Sequence, residues 1–236
     1  MLLDKPPSWG LTDIALVYLG VMFAGMSGSI WRIPLLSMLN VADTLQNRFY
    51  YGFGVQFFTT VVLVLLLAIV YHKASWNDLG FNKSSTSHYW RYGVIGGLVL
   101  VGAVLCISLP ISIINPELPP QSYEEILRQT DSGLGYGYML AIGVIFGPFS
   151  EELFFRGMIY PVMRKYLGVA GGIAAAGFLF ALAHWDLWRI IPLMAGGMGL
   201  CYIYEKTGSI WVSTLAHSLW NGTMALLIYL SYLSLV

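Results

Sequence analysis

Apolar stretches alternate with short polar segments along the whole chain. A membrane core about 30 Å thick requires roughly 20 mostly apolar residues in a spanning helix, because backbone polar groups in lipid must be paired within the helix. The pattern predicts an all-α fold, a polytopic transmembrane helical bundle with about seven spanning helices, or seven to eight. The seven stretches that meet or approach this length lie near Leu11–Trp31, Gly52–Tyr71, Tyr92–Ile111, Gly135–Met163, Val169–Trp185, Leu187–Tyr204 and Ile210–Leu235.

The composition agrees with a membrane protein. The 236 residues are 57% hydrophobic and 10% charged, whereas soluble chains average roughly 45–50% and 25%. The mean hydropathy is +0.70. Twelve basic residues balance twelve acidic ones, so no net field favours nucleic acid, and no nucleic-acid partner is expected. The lipid bilayer is the first partner that the composition implies.

The polar segments suggest how the chain is divided and oriented. We expect one membrane-embedded unit, with N-terminal helices and loops in residues 1–133 and a four-helix core in residues 134–236. Residues Arg32–Tyr50 are expected to form an amphipathic helix at the membrane interface. Basic residues predominate in the segments on the same side as the N-terminus, and the positive-inside rule then predicts a cytoplasmic N-terminus. The sequence carries no signal of the oligomeric state.

Charged residues within the fourth apolar stretch are the first candidates for function. Each charge in a spanning helix costs about 2.5–3.5 kcal/mol on insertion scales, so such residues are rare. Glu152 and Arg156 are four residues apart with the acid first, which is the favourable order for an ion pair on one helix face. Glu151 has no such partner four residues away in either direction. An unpaired carboxylate is suited to act as a general base.

Two histidines and an asparagine lie in other apolar stretches. His217 and Asn221 are four residues apart and therefore project from one face of the last predicted helix. Taken alone, this pair, like His184, is more typical of hydrogen bonds between packed helices than of catalysis. However, Glu151, His184, His217 and Asn221 all lie roughly 17–24 Å from the helix ends on one side of the membrane. Three helices thus bring polar groups to a similar depth, which favours a shared site.

These residues form three ordered motifs that resemble those of a known family. The motifs are EExxxR from Glu151 to Arg156, FxxxH from Phe180 to His184, and HxxxN from His217 to Asn221. The chain resembles the CAAX-protease and bacteriocin-processing family of intramembrane proteases, which includes the type II CAAX prenyl endopeptidases. A weaker resemblance covers the segment 76–81, WNDLGF, which is similar to a stretch ahead of the family's core.

The resemblance implies a role for each motif residue. Glu151 and His184 would activate a water molecule for attack on a peptide carbonyl, and His217 and Asn221 would stabilise the oxyanion. Glu152 and Arg156 would hold the fourth helix in place, and Phe180 would pack and orient. The substrate would be a lipidated or otherwise membrane-associated protein or peptide.

The sequence leaves two questions open: whether a metal ion takes part, and whether the protein is a catalyst. Glu151, His184 and His217 also form a His₂Glu set of the kind that binds zinc, although the sequence contains no HExxH motif. The resemblance favours a mechanism without a cofactor, with zinc as the alternative. A non-catalytic membrane scaffold or bacteriocin-immunity protein would retain the same fold. A transporter is disfavoured because no inverted repeat is visible and the membrane stretches contain one acidic cluster.

Overall fold

The computed structural model describes residues 6–130 and 132–233. Lys5, which contributes to the predicted orientation, and residues 234–235 of the last predicted stretch lie outside this part of the chain. Every regular element in the described residues is helical, which confirms the predicted all-α class.

Among the residues that the structure describes, seven long helices and one short helix form the bundle. Helix α5 covers residues 133–167 and α6 covers residues 169–182, within the continuous helical stretch Gly133–Leu182. A left-handed residue, Gly168, separates them at φ +69°. The other helices are α1 (Leu11–Met38), α2 (Leu45–Tyr71), α3 (Thr86–Ile114), α4 (Ser122–Arg128), α7 (Ile190–Thr207) and α8 (Ile210–Leu233).

The predicted interfacial helix over Arg32–Tyr50 is wrong. Residues 32–38 continue α1, and a turn with Asn40 at φ +55° precedes the start of α2. Asp43 in this turn accepts hydrogen bonds from Arg32 and Arg48. The two arginines therefore do not form the polar face of a helix; they bind one acidic turn residue.

The surface of the bundle is apolar where lipid would surround it. Four segments of the described residues are long and apolar enough to span a membrane, namely α1, α2, α3 and the stretch Gly133–Leu182. Phe23 and Met26 on α1 are each 72% exposed, and an exposed apolar face of this kind requires lipid or protein contact. The structure is therefore that of an integral membrane protein.

Helix α8 contacts α3, α4, α5 and α7 and thus occupies the interior of the bundle. The segment 75–82, which contains the WNDLGF sequence, anchors its start. Gly80 accepts a hydrogen bond from the backbone N–H of Ile210, and Ser209 donates its hydroxyl hydrogen to the carbonyl of Asn82. Phe81 contacts the ring of Trp211, which stacks on Phe149 of α5. This segment fixes the beginning of α8 relative to α5.

Helices α6 and α7 approach closely at two glycines. A Cβ atom added to Gly197 would lie 3.0 Å from the Cα of Gly177, and one added to Gly177 would lie 2.8 Å from the backbone nitrogen of Met198. Small residues allow helix backbones in membranes to approach in this way. The contact also places the carbonyl of Gly197 where it accepts a hydrogen bond from Arg156.

We expect Gly177→Ala to destabilise the protein by about 1–3 kcal/mol, because the added methyl group collides with the α7 backbone. Thermal unfolding in detergent should show a lower midpoint. The control is Gly102→Ala on α3, where an added Cβ has no neighbour within 4 Å. Equal midpoints for the two variants would contradict the assigned contact.

Candidate active site

A fully buried ion pair lies at the centre of the site. Arg156 donates a hydrogen bond from Nη1 to Oε1 of Glu152 over 2.7 Å, and both side chains have 0% exposure. A second donor, Nη2, binds the carbonyl oxygen of Gly197 over 3.0 Å. The guanidinium also lies 4.8 Å from the ring centre of Phe180, which adds a cation–π attraction. The predicted pairing of Glu152 with Arg156 is therefore present.

His217 joins the same ion pair from α8. Its Nδ1 lies 2.9 Å from Oε1 of Glu152. A carboxylate only accepts hydrogen bonds, so Nδ1 carries the hydrogen and donates it. The other ring nitrogen, Nε2, then lies 3.8 Å from Oε2 of Glu151. The sequence did not predict that Glu152 orients His217, because the two residues are 65 positions apart.

Glu151 differs from its neighbour in its surroundings. Its side chain is 27% exposed. Its Oε2 is buried and, like Oε2 of Glu152, has no hydrogen-bond partner among the described residues, so exposure is what distinguishes Glu151. The 3.8 Å separation from His217 is too long for a direct hydrogen bond. Glu151 thus retains the acceptor capacity that a reacting water molecule requires.

The end of α6 holds His184 in a defined orientation. The backbone N–H of His184 binds the carbonyl of Ala181, which leaves the carbonyl of Phe180 without a partner from the following turn. His184 Nδ1 lies 2.8 Å from that oxygen and donates to it. The neutral imidazole therefore has an unprotonated Nε2. The ring of Phe180 contacts both His184 and His217, with centres 4.7 and 5.7 Å apart.

A widened helical turn explains the position of Asn221. Residues 141–146 of α5 form a π-helical turn, in which each carbonyl binds the N–H five residues later. For Gly143 that residue is Pro148, which has no N–H. Asn221 supplies the missing donor, since its Nδ2 binds the carbonyl of Gly143 over 2.9 Å. The second N–H of the same amide group is left for another acceptor.

The predicted site residues line one cavity. Its volume is about 300 Å³, which reaches the lower end of the usual range for ligand sites. Glu151, Phe180, His184, His217 and Asn221 all contribute to its wall, whereas Glu152 and Arg156 lie behind it. The structure thus brings together the residues of the three sequence motifs.

Other residues of the wall were not predicted from the sequence. Trp220 stacks on the ring of His217 at 5.4 Å between centres, and Tyr123 of α4 donates a hydrogen bond to the carbonyl of Met139 beside the cavity. Gln56 of α2 also lines the cavity. A polar amide within the apolar stretch Gly52–Tyr71 was a usable signal for Gln56.

The loop after His184 is tied to the segment before α4. Arg189 binds Asp186 and also donates a hydrogen bond to the carbonyl of Pro119. Burial alone would raise the pKa of Asp186, but the hydrogen bonds and charge of Arg189 lower it below its usual value. Asp186 therefore remains ionised and keeps the loop in place.

The residues of the zinc alternative are Glu151, His184 and His217. Within residues 6–130 and 132–233, no group of three or more His, Cys, Asp or Glu side chains is arranged to hold a metal ion. We therefore assign no reaction step to zinc.

The fold and the site together define a polytopic helical membrane protein. At its centre is a cavity lined by polar residues of α5, of α8 and of the turn after α6. Residues 134–223 match the family described as "Type II CAAX prenyl endopeptidase Rce1-like". Through this region, which is less than half of the chain, the protein is similar to the CAAX-protease and bacteriocin-processing family.

A curated relative is similar over part of its length. The chain is similar to the Bacillus subtilis (strain 168) protein named "Putative membrane peptidase YdiL", with 28% identity over 83 residues. The match covers 35% of this chain and 34% of that protein, so the chain spans about a third of the relative's length. No solved structure matches the chain at a significant level.

We expect Arg156→Met to destabilise the protein by about 3–5 kcal/mol, because Glu152 would remain as a buried charge without its partner. Arg128→Met is the matched control, since Arg128 binds Glu124 at the same spacing on the more exposed helix α4. Its loss should cost less than about 1 kcal/mol. Denaturant unfolding in detergent measures both variants, and an unchanged midpoint for Arg156→Met would contradict the assignment.

Proposed function

We propose that the protein is an intramembrane endopeptidase that hydrolyses a peptide bond of a membrane-associated protein or peptide. One observation carries the proposal. Glu151 presents a carboxylate oxygen without a hydrogen-bond partner in the described structure, at the wall of a cavity and 3.8 Å from Nε2 of His217. This arrangement suits a carboxylate that accepts a proton from a bound water molecule.

The first step is attack by water on the peptide carbonyl carbon. Glu151 accepts one proton of the water as its oxygen bonds to the carbon, and the carbonyl oxygen becomes an oxyanion. His184, fixed through Nδ1, assists by accepting a hydrogen bond from the water at its unprotonated Nε2. Both residues line the same cavity, so a single water could contact both.

The second step breaks the carbon–nitrogen bond. The remaining N–H of Asn221 and the Nε2–H of His217 in its cationic form, whose Nδ1–H stays bonded to Glu152, donate to the oxyanion. Such donors are typically worth about 2.7–4 kcal/mol each in other hydrolases. When the intermediate collapses, the proton held by Glu151 passes to the leaving amine. The products are one new carboxyl terminus and one new amino terminus.

The proposed substrate is lipidated, prenylated or otherwise held at the membrane. The matching family is described as a CAAX prenyl endopeptidase and the relative is named a membrane peptidase. A peptide that enters from the bilayer would reach the cavity without leaving the membrane. The protein is proposed to lie with its N-terminus in the cytoplasm.

Replacement of the proposed base tests catalysis directly. We expect Glu151→Gln to lower the cleavage rate by roughly 10²–10⁴-fold, because glutamine keeps the shape of the side chain but cannot accept the proton. The measurement is hydrolysis of a mixture of short fluorescence-quenched peptides by protein in phosphatidylcholine nanodiscs, with protein abundance recorded in parallel.

Glu117→Gln is the control, since Glu117 is an exposed residue outside the cavity. Its rate should equal that of the unsubstituted protein. Cleavage at the full rate by Glu151→Gln would contradict the proposal and favour a non-catalytic scaffold or immunity protein.

The mechanism needs no metal ion, so cleavage should survive a strong chelator. We expect the rate after prolonged incubation with EDTA to stay within a factor of two of the untreated rate. Elemental analysis of the active protein should show no stoichiometric zinc. A loss of cleavage that added zinc restores would overturn the proposed roles of Glu151 and His184.

A further inference from the structure

Gln56 is a polar residue within the apolar part of α2. It lies on α2, about three turns from the start of the helix, and its neighbours Val55 and Phe57 are apolar. Within the part of the chain that the structure describes, its amide makes no hydrogen bond, and the side chain is exposed. An amide group placed at membrane depth without a partner is costly and is therefore a candidate for function.

Two cavities meet at Gln56 and Glu151. The cavity described above has a volume of about 300 Å³, and a second cavity of about 230 Å³ lies toward α1. Gln56, Ser150 and Glu151 contribute to the walls of both. The hydroxyl of Ser150 binds the carbonyl of Gly147. Of these three side chains, Gln56 and Glu151 thus remain for a ligand.

The two cavities differ in character. The first contains most of the polar groups of the site, including His184 and Asn221. The second is formed mainly by apolar side chains of α1, α5 and the end of α6, namely Tyr18, Val21, Met22, Phe154, Phe155 and Trp185. Each volume alone is at or below the lower end of the usual range for ligand sites. A substrate peptide could occupy both volumes if the residues on the two sides of the cleaved bond lay in different cavities.

We propose that Gln56 binds the substrate main chain, with an extended peptide passing Glu151 and placing one flank in each cavity. This inference rests on the proposed endopeptidase function. Cleavage within a chain requires the reacting carboxylate to lie between two flanking sites, and Glu151 lies in the wall that the two cavities share.

The chemistry of an amide side chain fits this role. A peptide in extended form has an N–H and a C=O that need partners when water is excluded. Glutamine supplies both a donor and an acceptor. It is also neutral, so it adds no charge beside Glu151. A lysine or glutamate at this position would change the charge of the reacting group's surroundings.

The test uses Gln56→Met, which keeps the length of the side chain and removes its polar group. Since Gln56 makes no hydrogen bond in the described structure, the substitution should not lower the thermal midpoint. For peptides that the unsubstituted protein cleaves in nanodiscs, we expect KM to rise roughly tenfold with kcat changed less than twofold. The control is Gln129→Met at the exposed end of α4, where KM should stay the same.

A second measurement does not depend on cleavage. The same peptide mixture is captured by Glu151→Gln protein and by the double variant Glu151→Gln with Gln56→Met. We expect the double variant to bind roughly tenfold more weakly. Gln56-dependent binding without cleavage by the unsubstituted protein would support peptide binding at Gln56 while overturning the endopeptidase function.

A different result would overturn the role of Gln56 alone. Normal cleavage with unchanged KM and unchanged binding in Gln56→Met would overturn the role of Gln56 and leave the endopeptidase function intact. Absence of peptide binding to Glu151→Gln protein that still has Gln56 would also overturn this inference.

Discussion

The buried ion pair of Glu152 and Arg156 is the constraint on which the site depends. Neither charge can stay in an apolar interior alone, because the desolvation penalty is recovered only through close partners. Arg156 therefore binds Glu152 on α5 and the carbonyl of Gly197 on α7, while Glu152 binds His217 on α8. The close approach of α6 and α7 at Gly177 helps to position that carbonyl. Three helices are thus held in register by one pair of charges.

This network also determines which nitrogen of His217 faces the cavity. Because Glu152 accepts the hydrogen bond from Nδ1, Nε2 is the ring nitrogen next to Glu151. The sequence assigned Glu152 and Arg156 to holding a helix and assigned catalysis to other residues. In the structure the two tasks share an atom, since Oε1 of Glu152 binds both Arg156 and His217. Substitution of Glu152 would therefore affect the orientation of His217 as well as stability.

The sequence predicts those features that arise from the spacing of residues within one helix. The long apolar stretches, the pairing of Glu152 with Arg156 and the common face of His217 and Asn221 all follow from helix geometry. The contact between Glu152 and His217 depends on how α8 packs against α5, so no local pattern contains it. The turn at Asn40 was missed because it depends on one residue at positive φ and on the contacts of Asp43 with Arg32 and Arg48, which no periodic pattern contains. Gln56 was missed although an amide in an apolar stretch was a signal, because its position beside Glu151 depends on how α2 packs against α5.

Irregular helix geometry gives the remaining polar groups their positions. His184 binds the carbonyl of Phe180 at the end of α6, and Asn221 binds the carbonyl of Gly143 where a widened turn meets Pro148. In both cases the backbone oxygen lacks its regular helical partner, and in an apolar interior such an oxygen requires a donor. The resulting hydrogen bond fixes each side chain through one polar atom and leaves a second polar atom to face the cavity. A membrane helix that departs from regular geometry thus provides fixed polar groups to a cavity without adding charge to the bundle.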